Sequence, residues 1–333
     1  MNPRTFLLLL ATSSLFLSTS CHDHNTSMDG KITVITTISP ITSIVENIGG
    51  NLVYVQGIVP EGANSHTFEP APSVARLIAN ANLIVMNGLF LEEPSLRIAK
   101  ASKNNQTKII RLGNMAITRD QWVFDFSFPE NKGHPNPHLW TNPVLGLKYG
   151  EIIRDELVSL DPTNKSYYQD NYDALKIRIE DLDKRIQVAI DTIPQKNRKL
   201  LTYHDSFPLF AKRYGLEIIA AVQPSDFTEP SARSVASLID QIRGLGIPAI
   251  FGSAVFPSPV MEHIANESNV LFVDQLRDDD LPGKPGDQLH SYLGLILKNT
   301  EIMVSALEGN PDPLTGFDTG PVFQGGSGAL YPQ

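Results

Sequence analysis

Short apolar runs alternate with segments of helical spacing along the chain. Runs rich in β-branched and aliphatic residues predict buried strands at about 32–36, 52–59, 83–86, 199–203, 216–221, 249–251 and 270–273. Between them, apolar residues such as Ile41, Ile44, Val45 and Ile48 mark one face of a helix that begins after a capping Ser39. Apolar strands that alternate with helices predict parallel sheets with both faces covered. The pattern occurs twice, so we expect an α/β protein of two lobes.

A helical pattern of about thirty residues, from about Asn164 to Ile193, separates the two lobes. At 1.5 Å per residue it would extend about 45 Å, enough to cross a whole domain as a stiff strut. We therefore predict an N-terminal lobe at 31–160, a linking helix at 161–196 and a C-terminal lobe at 197–309. Residues 310–333 are rich in Gly and Pro, which predicts a flexible tail.

The first thirty residues predict export. Arg4 precedes the apolar run 6–11, which is too short to span a bilayer and is followed by small residues. Residues 1–20 are therefore interpreted as a signal peptide and residues 21–30 as a polar tether. The chain's one cysteine, Cys21, stands where cleavage is expected and resembles the lipidated cysteine of a bacterial lipoprotein signal, although Ser18 replaces the usual Leu. Ordinary secretion with an incidental Cys21 is the alternative.

Composition and charge exclude several functions. Lys and Arg number 27 against 36 Asp and Glu among 333 residues, a net charge of −9 with no basic tract, which argues against a nucleic-acid partner. One cysteine excludes a disulfide scaffold and any Cys-rich metal site. The sequence also has no Gly-rich phosphate loop, no G-x-S-x-G and no H-E-x-x-H motif.

Three histidines and one aspartate are the candidate functional residues. His66 lies in a loop after the second strand, His204 directly follows the 199–203 strand, and Asp274 directly follows the 270–273 strand. Open α/β sheets bind ligands at such strand ends. With His138, these residues form a donor set suited to zinc. Each also has a structural alternative, since a loop histidine can be a helix cap or a surface residue. Asp274 can be a loop acid like Asp278, Asp279 and Asp280.

Several motifs in order resemble one family over residues 31–307. They are VPEGA at 59–63 with HTFEP at 66–70, NGL at 87–89, PHLW at 137–140, HDSF at 204–207 and FVD at 272–274. The chain looks like the metal-binding lipoproteins of bacterial ABC importers for zinc and manganese. The resemblance implies two lobes joined by a rigid helix with one metal in the cleft. It places the ligands on His66 and His138 from the first lobe and on His204 and Asp274 from the second.

Two features depart from that family. Gly252-Ser253 stands where many members have a Glu, and the long His-rich loop of many zinc importers is absent. In that region His134 and His138 have helical zinc spacing, but Pro135 and Pro137 forbid a helix, so we predict His138 as the ligand and His134 as a loop residue. Manganese-selective members usually carry Glu in place of His204, so zinc is favoured over manganese or iron.

The expected function is capture of a divalent metal outside the cytoplasmic membrane and its delivery to a membrane permease. Four protein ligands leave no position for an activated water, which argues for carriage over catalysis. We expect a monomer, lipid-anchored through Cys21 in the periplasm or at the cell surface. The alternatives are a zinc hydrolase, with Asp274 or Glu69 as base, and a metal-binding surface adhesin.

Overall fold

Two four-stranded parallel sheets form the framework of the protein. The computed structural model describes residues 30–225, 227–255, 258–325 and 328–333. The sheets have the orders β2-β1-β3-β4 and β6-β5-β7-β8, with every pairing parallel. The strands are β1 Ile32–Thr36, β2 Val53–Gly57, β3 Leu83–Met86, β4 Lys108–Arg111, β5 Lys199–Thr202, β6 Glu217–Ala221, β7 Ala249–Ser253 and β8 Leu271–Leu276.

Helices cover the sheets. The α-helices are α1 Ser39–Gly49, α2 Val74–Ala79, α3 Glu93–Ser102, α4 Leu112–Ala116, α5 Pro143–Leu160, α6 Lys165–Asp191, α7 Pro208–Tyr214, α8 Ala232–Leu245, α9 Pro259–Ser268 and α10 Tyr292–Ala306. Short 3-10 helices occupy Gly50–Leu52, Arg119–Gln121, Glu130–Lys132, Leu139–Thr141, Pro162–Asn164, Gln195–Asn197 and Asp312–Leu314. No helix among these described residues is both long and apolar enough to cross a membrane.

The helix α6 connects the two lobes as predicted. Its 27 residues give a length of about 40 Å. It packs against α1 and α5 beside the first sheet and against α7 and α10 beside the second. Its buried face consists of Tyr168, Asn171, Tyr172, Leu175, Ile179, Leu182, Ile186, Ala189 and Ile190. A continuous buried stripe on one helix makes the connection stiff, because bending it would open the core on both sides.

Each sheet has its topological switch point beside its first strand. The chain leaves β1 for β2 on one side and returns to β3 on the other, and β5, β6 and β7 repeat this arrangement. Ligands of open parallel sheets bind at the carboxyl ends of strands next to such a switch point. His204 follows β5 by two residues, so the second lobe presents it at this position.

The structure confirms the predicted fold class and differs from the predicted elements in three places. The pattern did not predict α3, β4, α4 or α5. Strand β8 continues to Leu276, three residues beyond its predicted end. Residues 310–325 and 328–333 pack on the body where the sequence predicts a flexible tail; Leu314 and Phe323 are buried, and Leu330 pairs with Gln56 of β2. The predicted signal peptide 1–20, and residues 21–29 of the predicted tether with Cys21, lie outside the described residues.

Candidate metal centre

His138 is the most deeply buried of the candidate histidines, with no exposed surface. Pro135 and Pro137 keep its segment extended before the 3-10 turn at Leu139–Thr141, because proline excludes a helix here. The Oδ1 of Asn136 lies 3.0 Å from the backbone nitrogen of His138 and 2.8 Å from its Nδ1. An amide oxygen only accepts, so Nδ1 carries the proton and the Nε2 lone pair faces the cleft.

His204 comes from the second lobe and is held in the same way. It follows β5 and is 2% exposed. Its Nδ1 lies 2.6 Å from the Oε1 of Gln223, which follows β6, the neighbour of β5 in the sheet. The amide oxygen again fixes the proton on Nδ1, so the lone pair of His204 is on Nε2, which lies 3.1 Å from the Nε2 of His138.

His66 is the candidate histidine that solvent reaches. The Oδ1 of Asn64 accepts a hydrogen bond of 2.9 Å from the backbone nitrogen of His66, which fixes the turn after β2. The ring of Phe227 stacks on the imidazole with centroids 4.5 Å apart, and Phe128 lies 5.7 Å away. A pocket of about 170 Å³ between these aromatic rings opens beside His66. Of the three histidines, His66 lines this pocket.

The three imidazoles converge on one point. The Nε2 atom of His138 lies 3.4 Å from that of His66 and 3.1 Å from that of His204, and each residue offers a ligand atom within 4.8 Å of the others. Burial, and then the neighbouring His204, lower the pKa of His66 and of His138 well below the usual value for histidine. Their rings are therefore neutral at physiological pH, the state in which an imidazole binds a metal.

The structure does not bring Asp274 to these imidazoles. Asp274 is exposed within β8 and lines an open groove with Gly252 and Lys298. The carboxylate beside the histidines belongs to Asp278, whose Oδ2 lies 4.0 Å from the Nε2 of His204 and whose side chain is 2% exposed. Strand β8 ends at Leu276, and Asp278 follows that strand end by two residues.

Trp140 holds the segment of Asp278 in place. Its indole Nε1 donates a hydrogen bond of 2.8 Å to the carbonyl oxygen of Asp278, and its ring lies 5.1 Å from that of His138. The side chain is fully buried. The sequence shows Trp140 only as part of the PHLW motif. Its hydrogen bond could not be predicted, because the partner lies 138 residues away.

Hydrogen bonds close the cleft around the site. The backbone nitrogen of Ser127 donates to Asp205 (3.1 Å), its hydroxyl donates to the carbonyl of Gln223 (2.7 Å), and Asn136 donates to the carbonyl of Asp205 (2.6 Å). Burial and the adjacent Asp205 raise the pKa of Asp125 to about 9, so this carboxyl is protonated at neutral pH. The first lobe is thus bonded to the residues that flank His204.

The remaining candidates lie apart from the three imidazoles. Glu69, proposed as a hydrolytic base, is exposed and pairs with Arg97 at 3.2 Å. His134 is exposed and stacks on Phe90, with centroids 4.1 Å apart. Gly252 serves packing, since a Cβ there would lie 2.9 Å from the ring of Phe272.

Replacing Gln223 with leucine should weaken zinc binding about 10–100-fold, because His204 loses the acceptor that fixes its Nδ1 proton. Isothermal titration of the metal-free protein measures this. The matched control is Gln275→Leu, at an exposed position of β8, and it should bind zinc like the parent. Equal affinities for both variants would contradict the role given to Gln223.

Two α/β lobes on a long helix, with three imidazoles converging from both lobes, define a metal-binding protein of the two-lobe type. Comparison with known proteins agrees. The model of the zinc-uptake complex component A periplasmic family matches residues 34–306. The chain therefore belongs to this family.

Individual relatives share nearly the whole fold. The metal ABC transporter substrate-binding lipoprotein FimA of Streptococcus parasanguinis is 26% identical over 302 residues, which is 90% of this chain and 97% of FimA. The iron ABC transporter substrate-binding lipoprotein MtsA of Streptococcus pyogenes is 27% identical, covering 88% and 96%. The periplasmic zinc-binding protein TroA of Treponema pallidum superimposes with a TM-score of 0.76 at 25% identity, covering 84% and 99%.

These comparisons establish the general function. The chain is an exported substrate-binding protein of a metal ABC transporter and is not an enzyme. Neither the hydrolase nor the adhesin alternative is favoured.

Proposed function

We propose that the protein captures one divalent metal ion, with zinc preferred, through His66, His138, His204 and Asp278 and delivers it to the permease of an ABC importer. The observation that carries this proposal is the convergence of three buried or half-buried imidazoles from two lobes, with ligand atoms within 4.8 Å of one another. Side chains that are distant in sequence meet here with their lone pairs directed at a common point.

The spacing of the donors fits a single divalent ion, and zinc is among the ions it suits. Tetrahedral zinc with bonds of about 2.0–2.1 Å separates its ligand atoms by about 3.3–3.4 Å. The nitrogens of His66 and His204 lie 3.4 and 3.1 Å from that of His138. Three imidazoles and one carboxylate also suit a borderline metal better than an oxygen-seeking one. The names of relatives include binding proteins for iron, manganese and zinc, so selectivity has to come from this site.

Asp278 replaces Asp274 as the fourth ligand in this proposal. Its carboxylate is buried beside His204, whereas Asp274 is exposed within β8. A divalent cation between the carboxylate and the imidazoles would offset the cost of burying a carboxylate. Four protein ligands complete a tetrahedral shell, which suits carriage of the ion.

Delivery requires the ligands to separate. The lobes contribute ligands to both sides of the cleft, so a permease that shifts one lobe or one loop would break the coordination shell. The stiff helix α6 restricts this to a small tilt or loop movement. We further propose a monomer that is anchored through lipidated Cys21, a proposal supported by the lipoprotein names of the relatives FimA and MtsA.

Exchanging the two aspartates singly for asparagine tests the ligand set. Asp278→Asn should weaken zinc binding at least about 100-fold. Mutation of a residue that only hydrogen-bonds to a metal ligand already lowers metal affinity about 10–100-fold. Asp274→Asn should bind within about two-fold of the parent. Competition titration with a chromophoric chelator measures both. Loss of affinity in Asp274→Asn, or its retention in Asp278→Asn, would overturn the assignment.

A further inference from the structure

The segment after α10 lies outside the family match, which ends at residue 306. Its described part, 308–325 and 328–333, runs from the second lobe along α6 to the first sheet. Arg178 of α6 pairs with Asp318 at 2.9 Å and donates to the carbonyl of Gly320 at 2.6 Å. The backbone nitrogen of Val322 then donates to Asn47 of α1 at 3.0 Å. This chain therefore has a second connection between its lobes.

Residues 328–333 extend the first sheet. Leu330 pairs in parallel with Gln56 of β2: its nitrogen donates to the carbonyl of Val55 (2.9 Å), and its carbonyl accepts from the nitrogen of Gly57 (3.0 Å). The carbonyl of Pro332 accepts a further bond of 3.0 Å from the nitrogen of Glu61. The segment thus covers the β2 edge and reaches the loop that carries His66.

Glu61 joins this segment to both ligand loops. Its Oε2 accepts a hydrogen bond of 3.0 Å from the side chain of Gln333. Its Oε1 accepts one of 3.3 Å from the backbone nitrogen of Leu281 and lies 3.4 Å from the Nε2 of His290. Glu61 precedes His66 by five residues, and Leu281 follows Asp278 by three. One carboxylate therefore connects the loop of each lobe that carries a proposed ligand.

Tyr331 fixes the segment beside this junction. Its ring packs edge-on against His290 with centroids 4.7 Å apart, and its hydroxyl donates to Glu46 of α1 at 2.6 Å. Because Tyr331 has a neighbour from each lobe, movement of the segment disturbs Glu46 and His290 together.

We propose that residues 328–333 are a positioning segment that, through Glu61, holds the His66 loop against the Asp278 loop and so slows release of the metal. The proposal rests on the proposed ligand set. Without the segment, Glu61 loses two of its hydrogen bonds, to Gln333 and Pro332, and the loops separate more often. The effect falls on dissociation, because an ion bound by both loops leaves when they part.

The test compares zinc release from the full chain with release from three variants. Removal of residues 328–333 should raise the dissociation rate about ten-fold. The substitution Glu61→Gln leaves one acceptor oxygen where Leu281 and Gln333 each use one, and it should raise the rate by a similar factor. Arg178→Ala removes the contacts to Asp318 and Gly320, which lie upstream of residues 328–333 and do not touch Glu61. This variant should leave the dissociation rate within two-fold. Rapid mixing with excess chelator measures the rates, and thermal melting records any loss of stability.

A double variant separates positioning from general destabilisation. If the segment acts through Glu61, combining the truncation with Glu61→Gln should raise the dissociation rate no further than either change alone. Multiplying effects, or unchanged rates in both single variants, would overturn the proposal. If the parent protein itself binds no zinc, the proposed function fails instead, which is a distinguishable result.

Discussion

Replacing His138 with alanine should abolish the stabilisation of the protein by zinc. The Nε2 of His138 is the central donor, 3.4 Å from that of His66 and 3.1 Å from that of His204. Its loss leaves two imidazoles and a carboxylate around an enlarged space. At a zinc concentration of 1,000 times its dissociation constant, the parent should gain about 4 kcal/mol in free energy of unfolding. Chemical unfolding of the metal-free and zinc-loaded protein measures the gain.

The matched control for this prediction is His134→Ala. His134 lies in the same loop but is exposed and stacks on Phe90, so its variant should keep the full gain. Each variant is compared with its own metal-free form, because removing a fully buried ring also destabilises the unloaded protein. A His138→Ala protein that gains as much from zinc as the parent would show that the ion binds elsewhere.

The meeting of the three histidines was expected chiefly from the family resemblance, and local signals supported it. Pro135 and Pro137 hold an extended segment around His138, and His204 directly follows an apolar strand. The sequence pointed to Asp274, and not to the proposed ligand Asp278, for an equally local reason. Asp274 and Gln275 are polar, and polar residues suggest the end of a strand. In the structure both are exposed on β8, an edge strand, and therefore do not interrupt it.

The sequence contains the signals that begin helix α5, although the strand and helix pattern did not predict it. Asn142 caps it by accepting from the nitrogen of Val144 at 3.0 Å, and Pro143 occupies its first turn. Its buried residues Tyr149, Ile152 and Ile153 continue a helical stripe. This helix was predictable from the cap and the periodicity.

The packing of residues 310–325 and 328–333 was not predictable in the same way. Glycine and proline usually indicate loose chain, and the partners of this segment are a β-strand edge and the face of α6, which are defined only after folding. The hydrogen bonds of Gln223 and Trp140 were unpredictable for the same reason. Each joins groups from different elements, so the sequence identifies the residue without its partner.

Replacing Trp140 with alanine should lower the free energy of unfolding by about 3–5 kcal/mol, the usual cost of deleting a large buried aromatic ring. Trp140 is fully buried, and its contacts join the lobes: the indole donates to the carbonyl of Asp278 at 2.8 Å, and its own carbonyl accepts from the hydroxyl of Tyr292 at 2.8 Å. The truncation leaves a cavity beside His138 and a buried carbonyl of Asp278 without its donor.

Two further variants separate the contributions of the indole donor and of the ring volume to this loss of stability. Trp140→Phe keeps most of the ring volume and removes the indole donor, so it should lose about 1–3 kcal/mol, the penalty for a buried unsatisfied acceptor. Trp122, the other tryptophan of the chain, is half-buried and contacts Arg119 and Phe90 near the surface, so Trp122→Ala should cost clearly less than Trp140→Ala. Urea unfolding of the metal-free proteins measures all three. Equal losses at the two tryptophans would contradict a structural role specific to position 140, since only Trp140 links the His138 segment to the proposed fourth ligand.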